Sequence, residues 1–142
     1  MGSKAIYKHK VQYYETDQMG VVHHSNYIRW FEEARTDFME KMGMGYHEME
    51  RLGILSPVLE VEAKYLRMVR FGETVSIGVT IKEYNGIKLE VGYEVVSDST
   101  GELHCKGSSK HCFITSETKP ISLKRECIEA HNLFVQGLED KK

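Results

Sequence analysis

The chain is poor in the residues that punctuate or staple a fold. It has two prolines in 142 residues, Pro57 and Pro120, and no stretch rich in Pro, Gly or Ser. That excludes a stiff spacer and argues against a linker between domains. Its three cysteines, Cys105, Cys112 and Cys127, are odd in number and form no C-x-x-C. Reduced thiols in a cytoplasm are expected rather than a disulfide framework. Long apolar runs are missing as well. The longest stretch without Asp, Glu, Lys or Arg runs from Gln18 to Ile28, whereas a membrane span needs roughly 20 apolar residues. Neither sign of charge dominates: 19 Lys and Arg face 21 Asp and Glu, a formal net charge of −2, which argues against nucleic acid or an anionic membrane as partner. Met1 to Val11 lacks the apolar centre of a secretory signal, and Ile6 stands where an N-terminal myristoylation site wants Ser or Thr.

What is present is ordinary for a globular protein, 41% hydrophobic and 28% charged, and the length predicts one domain over residues 1–142. Lys4 to Tyr13 reads as a first strand. Tyr14 to Ser25 has no sustained period and reads as a loop. From Asn26 the period becomes helical: Tyr27, Phe31, Ala34, Phe38 and Met42 share a face that Trp30 widens, while Arg29, Glu32, Glu33, Asp37 and Glu40 occupy much of the rest. This predicts an amphipathic helix capped by Ser25 or Asn26 and stopped near Gly43. Strands follow. Val61, Ala63 and Tyr65 alternate with polar residues, as do Val75, Ile77, Val79 and Ile81, and then Ile87, Leu89, Val91, Tyr93 and Val95. Period 2 over so many residues predicts half-buried strands. Asn85-Gly86 predicts a type I′ hairpin, Thr100-Gly101 marks the next turn, and Glu102 to Thr115 reads as the last strand before a short helix. The fold class is α+β, an antiparallel meander with one long helix on one face.

The chemistry points to the loop. Asp17 lies in a glycine-containing segment directly before the long helix, whose first turn offers unpaired N–H groups and the positive end of a dipole. A thioester carbonyl placed there would be polarised while Asp17 attacked it or activated water. An Asx-type turn residue is the structural alternative. The string Tyr-x-x-Thr-Asp-x-x-Gly-Val-Val-x-His-x-Asn-Tyr, followed by a helix carrying Arg35, resembles the hotdog acyl-CoA thioesterases of the 4-hydroxybenzoyl-CoA thioesterase type. The likeness is close over residues 13–42, and the order of elements fits to about residue 115.

The resemblance implies an antiparallel sheet of five or six strands wrapped around the central helix, and two subunits joined sheet to sheet. It implies Asp17 as the catalytic carboxylate, a helix-start amide near His24 that holds the carbonyl oxygen, and Asn26 and Tyr27 tying loop to helix. The active site would lie at the interface of a homodimer or homotetramer. The substrate would be an acyl-CoA or acyl-carrier-protein thioester, with no further cofactor. Relatives often have a proline and a Gly-Asp pair where this chain reads Arg67-Met68-Val69-Arg70-Phe71-Gly72-Glu73; Gly72 is kept, and the difference falls on the wall that decides acyl length.

Competing constellations are weaker. His23 and His24 are adjacent, and His104 and His111 are seven apart on a strand, hence on opposite faces, so no metal site is expected. Cys105 and Cys112 lack a histidine partner and read as inert thiols. Glu32 and Glu33 are rivals to Asp17, because a second hotdog branch uses a helix glutamate; as ordinary helix acids they would be solvated or ion-paired. Lys64, Arg67, Arg70, Lys88 and Lys110 are candidates for coenzyme A phosphates. Two other activities suit the fold, a non-catalytic acyl-CoA-binding module and a hydroxyacyl dehydratase. The intact Asp17 favours hydrolysis over the first. The absence of a proline- and glycine-rich loop presenting a histidine argues against the second.

Overall fold

The computed structural model describes residues 5–140. Its elements, in chain order, are β1 (Ala5–Lys10), α1 (Ser25–Met42), α2 (Tyr46–Arg51), β2 (Ile54–Leu55), β3 (Val58–Tyr65), β4 (Thr74–Tyr84), β5 (Lys88–Ser97), β6 (Leu103–Cys112), β7 (Ile114–Thr115), α3 (Leu123–Glu126) and α4 (Ile128–Asp140). Five strands form one antiparallel sheet in the order β1-β4-β5-β6-β3, and β2 pairs with β7 beside it. α1 lies across one face of the sheet. This is the hotdog arrangement, α+β as expected.

The alternation seen in the sequence becomes burial. Val75, Ile77, Val79 and Ile81 of β4 and Leu89, Val91, Tyr93 and Val95 of β5 point into the core, where they meet Tyr27, Trp30, Phe31 and Ala34 of α1. Phe31 stacks flat on Tyr93 with ring centroids 4.4 Å apart. It also lies over Gly107, where an added Cβ would come within 2.5 Å of the Phe31 ring. The glycine is what lets an aromatic helix approach the sheet so closely. α4 closes the far end of the core: Phe134 packs on Tyr84 and Phe113, and Gly137 lies against Ile81.

Several local expectations are corrected. β1 stops at Lys10; Val11 leaves the sheet while staying buried, its N–H donated to the Glu73 carbonyl, and Tyr13–Glu15 form a single 3-10 turn. Lys4 lies outside the described residues. α1 begins at Ser25 with His24 at the cap position, and the Ser25 hydroxyl bonds the His23 ring rather than a helix N–H. Met39 is fully buried, whereas Phe38 and Met42 are only partly so. Asn85-Gly86 is not a type I′ turn, since Gly86 alone has positive φ there. Asn85 acts through its side chain instead, Oδ1 accepting the N–H groups of Ile87 and Lys88. The last strand is broken at Phe113 into β6 and β7, and the closing helix is long.

Candidate active site

Residues 15–23 form a small hairpin rather than an open loop. Thr16 faces Val22, Asp17 N–H bonds the Val21 carbonyl, and Gly20 N–H returns to the Asp17 carbonyl. Gly20 sits at φ +76 with open space around it, the left-handed geometry that glycine adopts without strain. Asp17 holds the turn with one carboxylate oxygen, Oδ1 accepting Met19 N–H at 2.8 Å. The turn role and the half-exposed carboxylate therefore coexist in one residue. Among the described residues nothing donates to the other oxygen, Oδ2.

The hairpin is fastened to the start of α1 by a residue that sequence reasoning missed. Glu15 is 4% exposed, and its carboxylate accepts Gln12 N–H at 2.8 Å, Trp30 Nε1–H at 2.7 Å and His9 Nε2–H at 2.9 Å. Burial pushes the Glu15 carboxyl up, but those hydrogen bonds and the His9 ring outweigh it, leaving the group below the usual carboxylate range. Its carbonyl oxygen accepts His23 N–H at 2.9 Å and Asn26 Nδ2–H at 2.9 Å. Glu15 was visible between Tyr14 and Thr16 and its bond to Gln12 N–H is local; its burial was not legible, because that depends on Trp30 of α1 packing over it.

The other expected site residues gather here too. Asn26 is buried and bridges helix to hairpin. Tyr27 is buried between Trp30 and Tyr65, and burial foremost pushes its phenol up to about 12, so it serves as a neutral packing group. His24 sits at the helix start. Its carbonyl accepts Tyr27 N–H and the Tyr65 hydroxyl, while among the described residues nothing accepts its own N–H. That leaves a backbone donor at the positive end of the α1 dipole.

The rivals face elsewhere. Glu33 accepts the Tyr7 hydroxyl at 2.9 Å, and Glu32 is an exposed acid 3.9 Å from Arg35. His104 and His111 lie on opposite faces of β6, as the spacing predicted; His104 sits near the Arg67 carbonyl, while His111 bonds Ser109 inside the core. Of the cation candidates, Arg67 pairs with Glu102 and Lys110 with Glu60. Arg70 lies directly across from Val21 on the hairpin. Open grooves of about 510 and 550 Å³ occupy the outer side of the sheet and touch neither Asp17 nor His24.

Residues 11–131 match the thioesterase-like superfamily. The Bacillus subtilis protein YneP, to which acyl-CoA thioesterase activity is ascribed, is 37% identical over 88% of this chain and 91% of its own. A 1,4-dihydroxy-2-naphthoyl-CoA hydrolase of Prochlorococcus marinus is 26% identical over 90% of this chain and 91% of its own. The crystal structure of the DHNA-CoA thioesterase from Staphylococcus aureus superposes with a TM-score of 0.89 at 34% identity, covering 96% of this chain and 93% of that one. The chain belongs to the thioesterase-like superfamily. Its chemistry is thioester hydrolysis.

Proposed function

We propose that the chain hydrolyses an acyl-CoA thioester with Asp17 as the nucleophile, in the manner of the 4-hydroxybenzoyl-CoA type. The observation that carries this is that, among the described residues, Asp17 Oδ2 has no donor and the His24 N–H at the start of α1 has no acceptor. The thioester oxygen accepts from His24 N–H as charge develops on it. Asp17 Oδ2 bonds the acyl carbon, the C–S bond breaks, and the coenzyme A thiolate leaves and is protonated by water. Water then cleaves the mixed anhydride, regenerating the carboxylate and freeing the acid. Asn26 and Tyr27 position these groups and do not touch the substrate. No metal or further cofactor enters this scheme.

The names of YneP, the Prochlorococcus hydrolase and the Staphylococcus thioesterase, which match over most of the chain, support coenzyme A over a carrier protein as leaving group. The apolar side chains exposed along β3 support a second copy of the chain beside it, so that a homodimer or an assembly of dimers builds the site. The cytoplasm is the proposed location, in keeping with free thiols at Cys105, Cys112 and Cys127.

Asp17→Asn keeps the size and the Oδ1 bond to Met19 but removes the nucleophile. Its kcat is expected to fall by roughly 10³ or more with little change in KM, measured with a panel of acyl-CoA thioesters and a thiol reagent. Hydroxylamine should trap the anhydride in the parent enzyme. A variant within about threefold of the parent rejects Asp17.

A further inference from the structure

His9 lies behind the catalytic hairpin and contacts carboxylates with both ring nitrogens. Nε2 is 2.9 and 3.1 Å from the two carboxylate oxygens of Glu15, and an ionised carboxylate only accepts, so Nε2 carries a proton and donates. Nδ1 is 3.6 Å from Glu33 Oε1, the same oxygen that accepts the Tyr7 hydroxyl. The ring is mostly buried, its side chain 12% exposed, and lies 4.9 Å from the Trp30 ring. Trp30 in turn donates to the other oxygen of Glu15. One buried carboxylate is thus held by β1 through His9 and by α1 through Trp30.

We propose that His9 is a positioning residue for hydrolysis, acting through Glu15 on both halves of the site; this rests on the assignment of Asp17 above. Glu15 stands two residues before Asp17, and its carbonyl receives both His23 N–H and Asn26 Nδ2–H. Turning the Glu15 side chain therefore turns the peptide that sets the path to Asp17 and the peptide that sets the His24 N–H. A nucleophile and an oxyanion donor must keep their separation as the carbonyl carbon becomes tetrahedral, and misplacement by about 1 Å costs on the order of a hundredfold in rate. None of the candidate cations for the coenzyme A phosphates belongs to this brace, so KM is expected to stay near the parental value.

The test compares His9→Leu, which cannot donate, with His9→Gln, whose amide N–H replaces the Nε2 donor, in the full-length protein. His9→Leu is expected to lower kcat at least tenfold with KM within about twofold, while His9→Gln stays within about threefold of the parent. Trp30→Phe, which deletes only the second donor to Glu15, provides an independent route if His9→Leu does not fold, and should also lower kcat at unchanged KM. A folded His9→Leu or Trp30→Phe with parental kcat overturns the brace, as does equal loss in the Leu and Gln variants. Asp17→Asn, run alongside, separates the two ideas: if it stays active the site assignment has failed, and if it alone is inactive only the brace has.

Discussion

Arg35 has no buried carboxylate beside it, yet it is almost fully buried beneath α1. Its Nε donates to the Tyr46 hydroxyl at 2.6 Å and its Nη1 to the Tyr93 hydroxyl at 2.9 Å. A guanidinium only donates, so Tyr93 accepts from Arg35, and the order that leaves every hydroxyl proton with an acceptor runs onward from Tyr93. Tyr93 donates to Ser109 at 2.6 Å, and Ser109 donates to His111 Nε2 at 2.7 Å. The proton of the neutral imidazole is then on Nδ1, which has no hydrogen-bond partner among the described residues. Burial first, and the Arg35 charge second, push His111 down to about 4. An unfolded chain, with histidine near 6.5, binds this proton first as pH falls. The stability tied to neutral His111 is therefore full above pH 6.5 and is lost on the way down to 4, a change of about 3 kcal/mol. Denaturant unfolding between pH 7 and 4.5 should show that slope, and His111→Asn, which keeps an acceptor for Ser109, should flatten it. The Glu15 carboxyl lies below its usual range, so its share is lost only at lower pH. Glu32→Gln and Glu33→Gln should keep kcat near the parental value in the acyl-CoA assay, since neither acid belongs to the hairpin site; collapse in one would move the chemistry onto the helix.

The Asp17 hairpin and the sheet each depend on a glycine for a different reason. At Gly20 the constraint is conformational, because φ is +76 and no atom crowds the missing Cβ. Gly20→Ala should cost about 1–2 kcal/mol from the left-handed backbone alone. It should also reduce kcat, since the turn it closes carries Asp17. At Gly107 the constraint is space: a Cβ meets the Phe31 ring and the Glu62 carbonyl within 2.6 Å. Gly107→Ala should cost about 1–3 kcal/mol by overpacking, visible as a lower Tm, and should also disturb the helix that carries the site. Thermal melts of the two variants beside their kcat values check both expectations.

At the scale of the whole molecule, β3 is an edge strand with an unusual surface. It pairs with β6 on one side only, and Val58, Leu59, Val61 and Tyr65 along it are exposed, as are Leu66 and Met68 just beyond. An unprotected apolar edge is a template for another strand. A second copy placed there covers these side chains and lies beside Tyr65, which touches His24. Replacing Leu59 and Val61 together by Glu should shift sedimentation toward monomer and reduce activity in parallel. A double variant that is monomeric and fully active would show that one chain builds the site alone.

Strand and helix identities were legible from the chain because each follows from a local period: alternation from Thr74 to Ile81 and from Ile87 to Val95, and a helical face from Tyr27 onward. The hairpin was not, since Tyr14 to Ser25 shows no sustained period and reads as a loop; Asp17, Gly20, Asn26 and Tyr27 stood out because they lie within a dozen residues of one another in a string that resembles a known family. Local period determined the long strands and the long helix, while the family resemblance named the hotdog fold and singled out Asp17. The tertiary structure alone decided what depends on partners far apart in the chain. It buried Glu15 against Trp30, threaded Arg35 through Tyr93 and Ser109 to His111, and turned Glu33 toward Tyr7. It also left the apolar side chains of β3 in solvent, although their alternation looks the same as that of β4. The physical reason is common to all four: burial and hydrogen-bond satisfaction are properties of where strands and helices pack, and a sequence period says which side chains share a face without saying what that face meets.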